Sequence, residues 1–363
     1  MSQITNKIPV AILGATGMVG QKLVTLLKNH EWFEVVCLAA SNKSSGKKYS
    51  EAVQRRWSQQ ESIPDTLADK IVLSIENDIP TITSQCRLVF SAIDADKDFI
   101  KQIENQYAAA GMAVVSNNSA HRWTEDVPML IPEINHHHLQ MIPIQQKNRG
   151  WNKGFIVTKP NCSIQSYVPI LEAWKKYQPK RVIVSTYQAI SGAGKTFETW
   201  PEMLDNIIPF ISGEEQKSEN EPSKIWAKIK NNQFELDNSV SISANCLRVP
   251  VSDGHMAVVN VSFADNPSLE DLVSAIQNFQ NPLKELNLPS SPEKFLTYFE
   301  QEDRPQTRLD RNIYKGMGIC VGRIRKDSVF GWKCIGLSHN TLRGAAGGSI
   351  LNAELLVKKG FVT

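Results

Sequence analysis

The stretch Ile8-Pro9-Val10-Ala11-Ile12-Leu13-Gly14-Ala15-Thr16-Gly17-Met18-Val19-Gly20-Gln21-Lys22-Leu23-Val24-Thr25-Leu26-Leu27-Lys28 decides how the first half of this chain folds. Its first six residues form an apolar run, the mark of a parallel strand covered on both faces. Glycines at 14, 17 and 20 follow, and from Gln21 onward apolar residues recur with helical period. Strand, glycine-rich turn and helix in succession present a helix N-terminus that backbone can bring close to a pyrophosphate. A nucleotide is therefore expected here, held by Gly14, Thr16, Gly17, Met18 and Val19. The spacing is G-x-x-G-x-x-G, not the simple dinucleotide fingerprint.

Working outward, strand-like runs at 35–40, 71–75, 88–92 and 112–116, with a helical pattern at 97–109, continue the alternation. That order predicts α/β architecture, a Rossmann-type doubly wound parallel sheet. From about residue 155 the pattern changes to long strand-like runs at 181–188, 240–249, 256–263, 318–325 and 330–337 with few crossover helices. A second, α+β domain with an antiparallel or mixed sheet is expected there. The polar stretch 214–222 reads as an exposed helix start or loop, and 349–358 as a helix. We divide the chain into a nucleotide-binding domain, 1–157, rejoined by a C-terminal helical segment, 340–363, and a catalytic and dimerisation domain, 158–339. A chain of 363 residues exceeds what one core usually supports, in keeping with two domains.

The second strand of a nucleotide-binding sheet usually ends in a carboxylate that holds the adenosine ribose of NAD. Here it ends in Ala40-Ser41-Asn42-Lys43-Ser44-Ser45-Gly46-Lys47-Lys48. With no carboxylate to repel a 2′-phosphate, and with Ser41, Lys43 and Ser44 to receive it, NADP is the expected cofactor.

Lys+Arg 40 against Asp+Glu 37 leaves a net charge of +3, which calls for neither a nucleic-acid nor a membrane partner. No apolar run approaches membrane-spanning length, and the first residues lack the apolar core of a signal peptide. Six cysteines without paired short spacings argue against a disulfide framework or a cysteine-rich zinc site, and fit a reducing cytoplasm. His136-His137-His138 cannot converge on one ion, so no metal is expected.

The chemistry centres on Lys159-Pro160-Asn161-Cys162-Ser163, which follows a strand-like run at 155–158. A thiol at the start of a helix is favoured as thiolate by free N–H groups and the helix dipole, although Pro169 must kink that helix or mark its first turn. Downstream stand Gln188, Arg248 and His255. Thiolate, imidazole and nicotinamide together imply hydride transfer through a covalent thiohemiacetal or thioester, and a guanidinium implies a carboxylate on the substrate.

At this point the residues reach a resemblance. Gly14 to Gly20, Ser116-Asn117-Asn118-Ser119-Ala120-His121-Arg122, Ile131-Pro132-Glu133-Ile134-Asn135, Pro160-Asn161-Cys162-Ser163, Tyr187-Gln188-Ala189-Ile190-Ser191-Gly192, Gly213-Glu214-Glu215-Gln216-Lys217, and Arg248 with His255 occur in order almost end to end. This resembles the aspartate-β-semialdehyde dehydrogenase family, in its archaeal and fungal branch.

The resemblance implies Cys162 as nucleophile, His255 as acid/base and Gln188 as the residue that orients the bound intermediate. It implies Arg248 on the substrate α-carboxylate, Arg122 on the phosphate, Glu214 and Lys217 on the substrate amine and phosphate, and Asn118 beside the substrate. Ser191, Gly192 and Asn340 are implied to meet the cofactor. The implied reaction is NADPH-dependent reductive dephosphorylation of L-aspartyl-4-phosphate, in biosynthesis of lysine, methionine and threonine, by a homodimer or homotetramer that also binds inorganic phosphate. Two alternatives stay open at this stage: a malonyl- or succinyl-CoA reductase on the same scaffold, and a non-catalytic NADP-sensing protein.

Overall fold

The computed structural model describes residues 6–363; residues 1–5, part of the N-terminal stretch read above, lie outside it. The first sheet contains β1 (Ile8–Leu13), β2 (Phe33–Ala40), β3 (Leu73–Ser74), β4 (Leu88–Ser91), β5 (Ala113–Ser116) and β6 (Phe155–Thr158). All pairs are parallel, in the order β3-β2-β1-β4-β5-β6. The order reverses between β1 and β4, and the crevice at their carboxyl ends is where such sheets bind nucleotides.

Alternation along β1 shows how the layers form. Val10 and Ile12 enter one core with Leu23 and Leu27 of the Met18–Leu27 helix and with Ile350, Leu351, Leu355 and Leu356 of the Ala346–Lys358 helix. Ala11 and Leu13 enter the opposite core with Ile100, Ile103 and Tyr107 of the Lys97–Ala109 helix. Each of those large aliphatic side chains contributes about 1.5–3 kcal/mol by burial, so the C-terminal helix is an integral layer of the first sheet. The Lys97–Ala109 helix matches the sequence expectation at both ends because its start is chemically marked: Asp96 caps it, accepting from Asp98 N and Phe99 N.

The remaining strands are β7 (Pro179–Gln188), a short hairpin of β8 (Lys228–Lys230) and β9 (Gln233–Glu235), β10 (Ser241–Arg248), β11 (His255–Phe263), β12 (Leu296–Phe299), β13 (Ile319–Asp327) and β14 (Gly331–Ser338). Six of them form a mixed sheet, β10-β7-β11-β14-β13-β12. Val182, Val184, Val259 and Val261 point from it into a core with Tyr167, Leu171, Trp174 and Leu272. The register pairs Arg248 with Gln188 across β10 and β7, and Met256 with Tyr187 across β11 and β7. The ends of three adjacent strands thus present Gln188, Arg248 and His255 along one edge. The loop 249–254 crosses the end of β7 to make this possible.

Three sequence expectations are corrected. The run 71–75 supplies only the two-residue β3. Cys162 does not open an α-helix: a four-residue 3₁₀ turn, Ser163–Ser166, follows it, and the helix Val168–Ala173 starts later with Pro169 in its first turn. Proline lacks an N–H, so its ring is accommodated only where no intrahelical bond is needed. Finally, 214–222 is the helix start that the sequence allowed, in the helix Glu214–Ile225, but it is not exposed throughout: Glu214, Ser218 and Glu221 are buried. Among the described residues no helix is long and apolar enough to cross a membrane.

Candidate active site

The chain leaves β6 through Lys159, Pro160 and Asn161 and reaches Cys162 in an α-like conformation. Side chains, not a helix dipole, shape this turn. Asn161 Oδ1 accepts from Ser163 N at 2.8 Å, its Nδ2 donates to both Glu214 oxygens at 3.0 and 2.9 Å, and Asn161 N donates to Glu221 Oε2 at 2.6 Å. Gly344 lies against the thiol residue so closely that a Cβ there would come within 2.7 Å of Cys162 Cβ. All six cysteines are free; Cys162 alone is not buried.

His255 Nε2 lies 3.4 Å from Cys162 Sγ, and Ala189 N donates to His255 Nδ1 at 3.1 Å. An Nδ1 that accepts must be unprotonated, so the neutral ring carries its proton on Nε2, facing sulfur. A backbone hydrogen bond with Gly254 favours the charged ring weakly, and the Ala189 N–H is aimed at Nδ1. Burial first, then the Arg248 charge, lower the His255 pKa to about 3. The cysteine is driven the opposite way. Burial and the Glu214 carboxylate push the Cys162 thiol up to about 11, against the pull of Lys159, Arg122 and Arg248.

Arg248 is buried, with Nη1 donating to Ala189 O at 2.7 Å. Gly192 must be bare beside it, since a Cβ would stand 2.8 Å from Arg248 Nη1 and 3.1 Å from His255 Nε2. Gln188 Nε2 donates to Thr186 Oγ1 at 3.2 Å and to Glu214 Oε2 at 3.3 Å. Glu214 also accepts from Lys217 Nζ at 2.7 Å. Burial opposes its charge, but Lys217 and the donors Asn161 and Gln188 hold its pKa below the ordinary value. Arg122 is anchored by Glu221 at 2.8 Å, by Lys159 O at 2.9 Å and by Asn117 O at 3.3 Å, leaving two N–H bonds of its guanidinium for a ligand.

Asn118 shares no hydrogen bond with this cluster among the described residues. Its amide donates to Ser91 Oγ and Glu104 Oε1, both at 3.0 Å, at the end of the first sheet. Neighbouring Asn117, which sequence reasoning did not single out, has a buried Nδ2 without a partner among the described residues. Asn161, Glu221 and Lys159 were also missed. Glu221 lies in a segment polar enough to read as solvated, and only its distant partners Arg122 and Asn161 distinguish it.

The glycine loop fits a dinucleotide. A Cβ on Gly14 would come within 2.2 Å of Ala92 O, and one on Gly20 within 2.2 Å of Gly14 O, so these two make the tight turn. A Cβ on Gly17 would meet nothing nearer than 3.5 Å and would instead fill the space before the Met18–Leu27 helix. That helix start has no capping side chain and no acidic residue. It fits a pyrophosphate. After β2, Ser41 and Lys43 are exposed, while buried Ser44 Oγ accepts from Arg56 Nη2 at 3.3 Å. Arg56 is thus a second cation beside this loop, and Tyr49 clamps the loop to the glycine turn through Ala15 O at 2.9 Å. On the other side, Asn340 joins Ser191 Oγ at 2.9 Å to Gly254 N at 2.8 Å. Met18 and Lys22 of the first domain and Ser191, Asp253, Arg311 and His339 of the second line a cleft of about 370 Å³ between them.

A nucleotide-binding sheet joined to a half-buried thiol that meets a buried imidazole defines a nicotinamide-dependent dehydrogenase that works through a cysteine. Residues 9–142 match the family description "semialdehyde dehydrogenase, NAD binding domain", and residues 168–343 match "semialdehyde dehydrogenase, dimerisation domain". Aspartate-semialdehyde dehydrogenase of Archaeoglobus fulgidus is 46% identical over 96% of this chain and 98% of its own length. That of Aspergillus fumigatus is 40% identical over 97% of each. The crystal structure of the Candida albicans enzyme with NADP superimposes with a TM-score of 0.87 at 36% identity, covering 98% of this chain and 100% of that one. The chain belongs to the aspartate-semialdehyde dehydrogenase family.

Proposed function

We propose that the protein reduces L-aspartyl-4-phosphate to L-aspartate 4-semialdehyde and inorganic phosphate with NADPH, reversibly, in the biosynthesis of lysine, methionine and threonine. The observation that carries this reading is the half-buried Cys162–His255 contact of 3.4 Å, bordered by Arg248. Residues 1–157, with 340–363, hold the cofactor, and 158–339 supply the chemistry. Thr158, the last residue of β6, is where one gives way to the other. The dimerisation-domain match supports a homodimer or homotetramer, and six free thiols support a cytoplasmic setting.

Gly14, Thr16, Gly17, Met18 and Val19 would hold the NADP pyrophosphate, Ser41, Lys43 and Ser44 its 2′-phosphate, and Ser191, Gly192 and Asn340 its nicotinamide half. When bound in reduced form, the cofactor supplies hydride. Cys162 Sγ attacks the acyl carbon and releases phosphate, held by Arg122 and Lys217. Arg248 binds the α-carboxylate with charge-assisted hydrogen bonds, and Glu214 the amine. The Nε2–H of His255 donates to the oxygen that gains negative charge, and then to the departing thiolate. Gln188 holds the intermediate between them. The relatives do not favour a CoA-thioester substrate, and a thiol facing an imidazole does not favour a purely sensory protein.

The test is reduction of NADP by L-aspartate semialdehyde with and without inorganic phosphate, alongside malonyl- and succinyl-CoA. Turnover should require phosphate and vanish in Cys162→Ala while NADPH still binds. Retention of more than about a thousandth of the parent rate in that variant would place the chemistry elsewhere.

A further inference from the structure

Lys224, in the last turn of the Glu214–Ile225 helix, is 3% exposed, and its Nζ donates to two main-chain carbonyls of one distant turn, Arg122 O at 2.7 Å and Thr124 O at 2.9 Å. The nitrogen also stands over the Phe234 ring, 5.1 Å from its centre. A buried ammonium is costly unless it is hydrogen-bonded, so these two carbonyls and the ring face are what retain it. Burial lowers its pKa to about 7, while the Asp126 and Glu221 carboxylates favour its charge. As ammonium or as amine, the nitrogen has N–H bonds enough for both carbonyls.

Glu221 lies one helical turn earlier on the same face, and its Oε1 accepts from Arg122 Nη1 at 2.8 Å. One helix therefore holds residue 122 twice, by the guanidinium and by the main chain. Further along that face Glu221 Oε2 accepts from Asn161 N, Ser218 Oγ lies 3.3 Å from Ser163 Oγ, and Glu214 accepts from Asn161 Nδ2. The helix that shapes the Cys162 turn thus also carries the grip on Arg122. The remaining contacts of this arginine do not replace that grip. Lys159 O and Asn117 O hold only the guanidinium, and Arg122 N to Ser119 O and Thr124 N to His121 O lie within the turn itself. Trp123, between the two carbonyl residues, is 48% exposed and gives the turn little packing.

We propose that Lys224 is a positioning residue for the phosphate group: it fixes the main chain of Arg122, so that the guanidinium presents its two free N–H bonds to phosphate in one direction. Lys224 touches neither substrate nor thiol and acts through Arg122 alone. The inference rests on Arg122 being the phosphate ligand, and adds what aims it. Without the Nζ, a cleft of about 220 Å³ formed by Trp123, Lys224, Phe234 and Leu236 lets water reach the two carbonyls, which satisfies them without holding the turn still. A misplacement of about 1 Å weakens a directed contact severely. Arg248 and Glu214, which stand on other supports, keep their grip on the semialdehyde.

The test is a double-mutant cycle read in initial rates of NADP reduction, over a grid of L-aspartate semialdehyde and inorganic phosphate, for the wild type, Lys224→Met, Arg122→Leu and the double variant. Lys224→Met should raise the KM for phosphate about five-fold or more, with the KM values for semialdehyde and NADP within about two-fold of the wild type. On the Arg122→Leu background the same change should add less than about two-fold, because the residue it acts through is gone. A merely loosened fold would instead move all three KM values and multiply through in the double variant. An unchanged phosphate KM in Lys224→Met, equal rises in all three KM values, or full multiplication overturns the proposal. Arg122→Leu by itself separates the two readings. If it leaves the phosphate KM unchanged, the phosphate assignment falls and this inference with it; if it raises that KM and Lys224→Met does not, the inference alone falls. Should Lys224→Met fail to fold, Lys224→Gln, with N–H donors on a shorter stem, takes its place in the cycle under the same criteria.

Discussion

Arg343 lays both terminal guanidinium nitrogens on the Glu133 carboxylate, at 2.7 and 2.5 Å, with the two side chains 2% and 0% exposed. This ion pair ties the start of the C-terminal helix to the turn after Ile131, and so fixes Gly344 against Cys162. Breaking one partner leaves a buried, unpaired charge. Glu133→Ala should therefore lower stability by roughly 3–5 kcal/mol, whereas the paired replacement Glu133→Leu with Arg343→Met should recover most of it. Urea unfolding of the three proteins measures this, and a loss below 1 kcal/mol in the single variant would show that the pair contributes little.

The two arginines near the thiol separate the ends of the substrate. Arg248→Leu should impair use of the semialdehyde at every phosphate concentration. Arg122→Leu should chiefly raise the KM for inorganic phosphate. Each lost charge-assisted contact should cost roughly 1.5–3 kcal/mol, or one to two orders of magnitude in the affected specificity ratio. Initial rates over a grid of both substrates distinguish them, and an Arg122 variant with unchanged phosphate dependence would shift weight to a CoA donor.

Cofactor choice rests on the loop after β2. Lys43→Glu should weaken NADPH much more than NADH, because a carboxylate repels the 2′-phosphate and can accept from a ribose hydroxyl. Arg56→Ala should do the same more mildly, by removing the cation beside Ser44. Fluorescence titration with both dinucleotides provides the measurement; equal losses for the two would place Lys43 outside the pocket.

Acid stability should follow buried neutral histidines. Burial lowers the pKa of His138 from the ordinary 6.5 to about 4, despite its contact with Ala227 O. A folded-state pKa below the unfolded one means that stability is fully present above pH 6.5 and is lost as pH falls toward 4, because the unfolded chain takes up the proton first. His138→Asn should therefore reduce the loss between pH 6.5 and 4 by up to about 3 kcal/mol, and proton uptake on unfolding at pH 5 by about one. Urea midpoints across that range give the answer, and parallel pH profiles for the two proteins would count against it.

The first domain was readable because its signals are local. Apolar runs, the glycine turn and the Asp96 cap each act within a few residues, so β1 and the Lys97–Ala109 helix fall where the pattern places them. The environment of Cys162 was read less well. Its motif is contiguous, but the turn after it is held by Asn161 contacting Glu214, more than fifty residues along the chain. The Glu214–Ile225 helix looked solvated because its composition is polar, and its buried carboxylates are explained by Lys217 on the same helix and by the distant Arg122, Asn161 and Gln188.

By itself the sequence determined the doubly wound sheet, the position of the thiol and the residue types that serve it, since local propensity and periodicity act between near neighbours. Only the tertiary structure decided that Gln188, Arg248 and His255 share one edge, because the register of three strands is a long-range outcome. It also decided the proton on His255 and the isolation of Lys159. The first depends on a backbone N–H that every residue but proline carries, and the second on which carboxylates other cations have already taken.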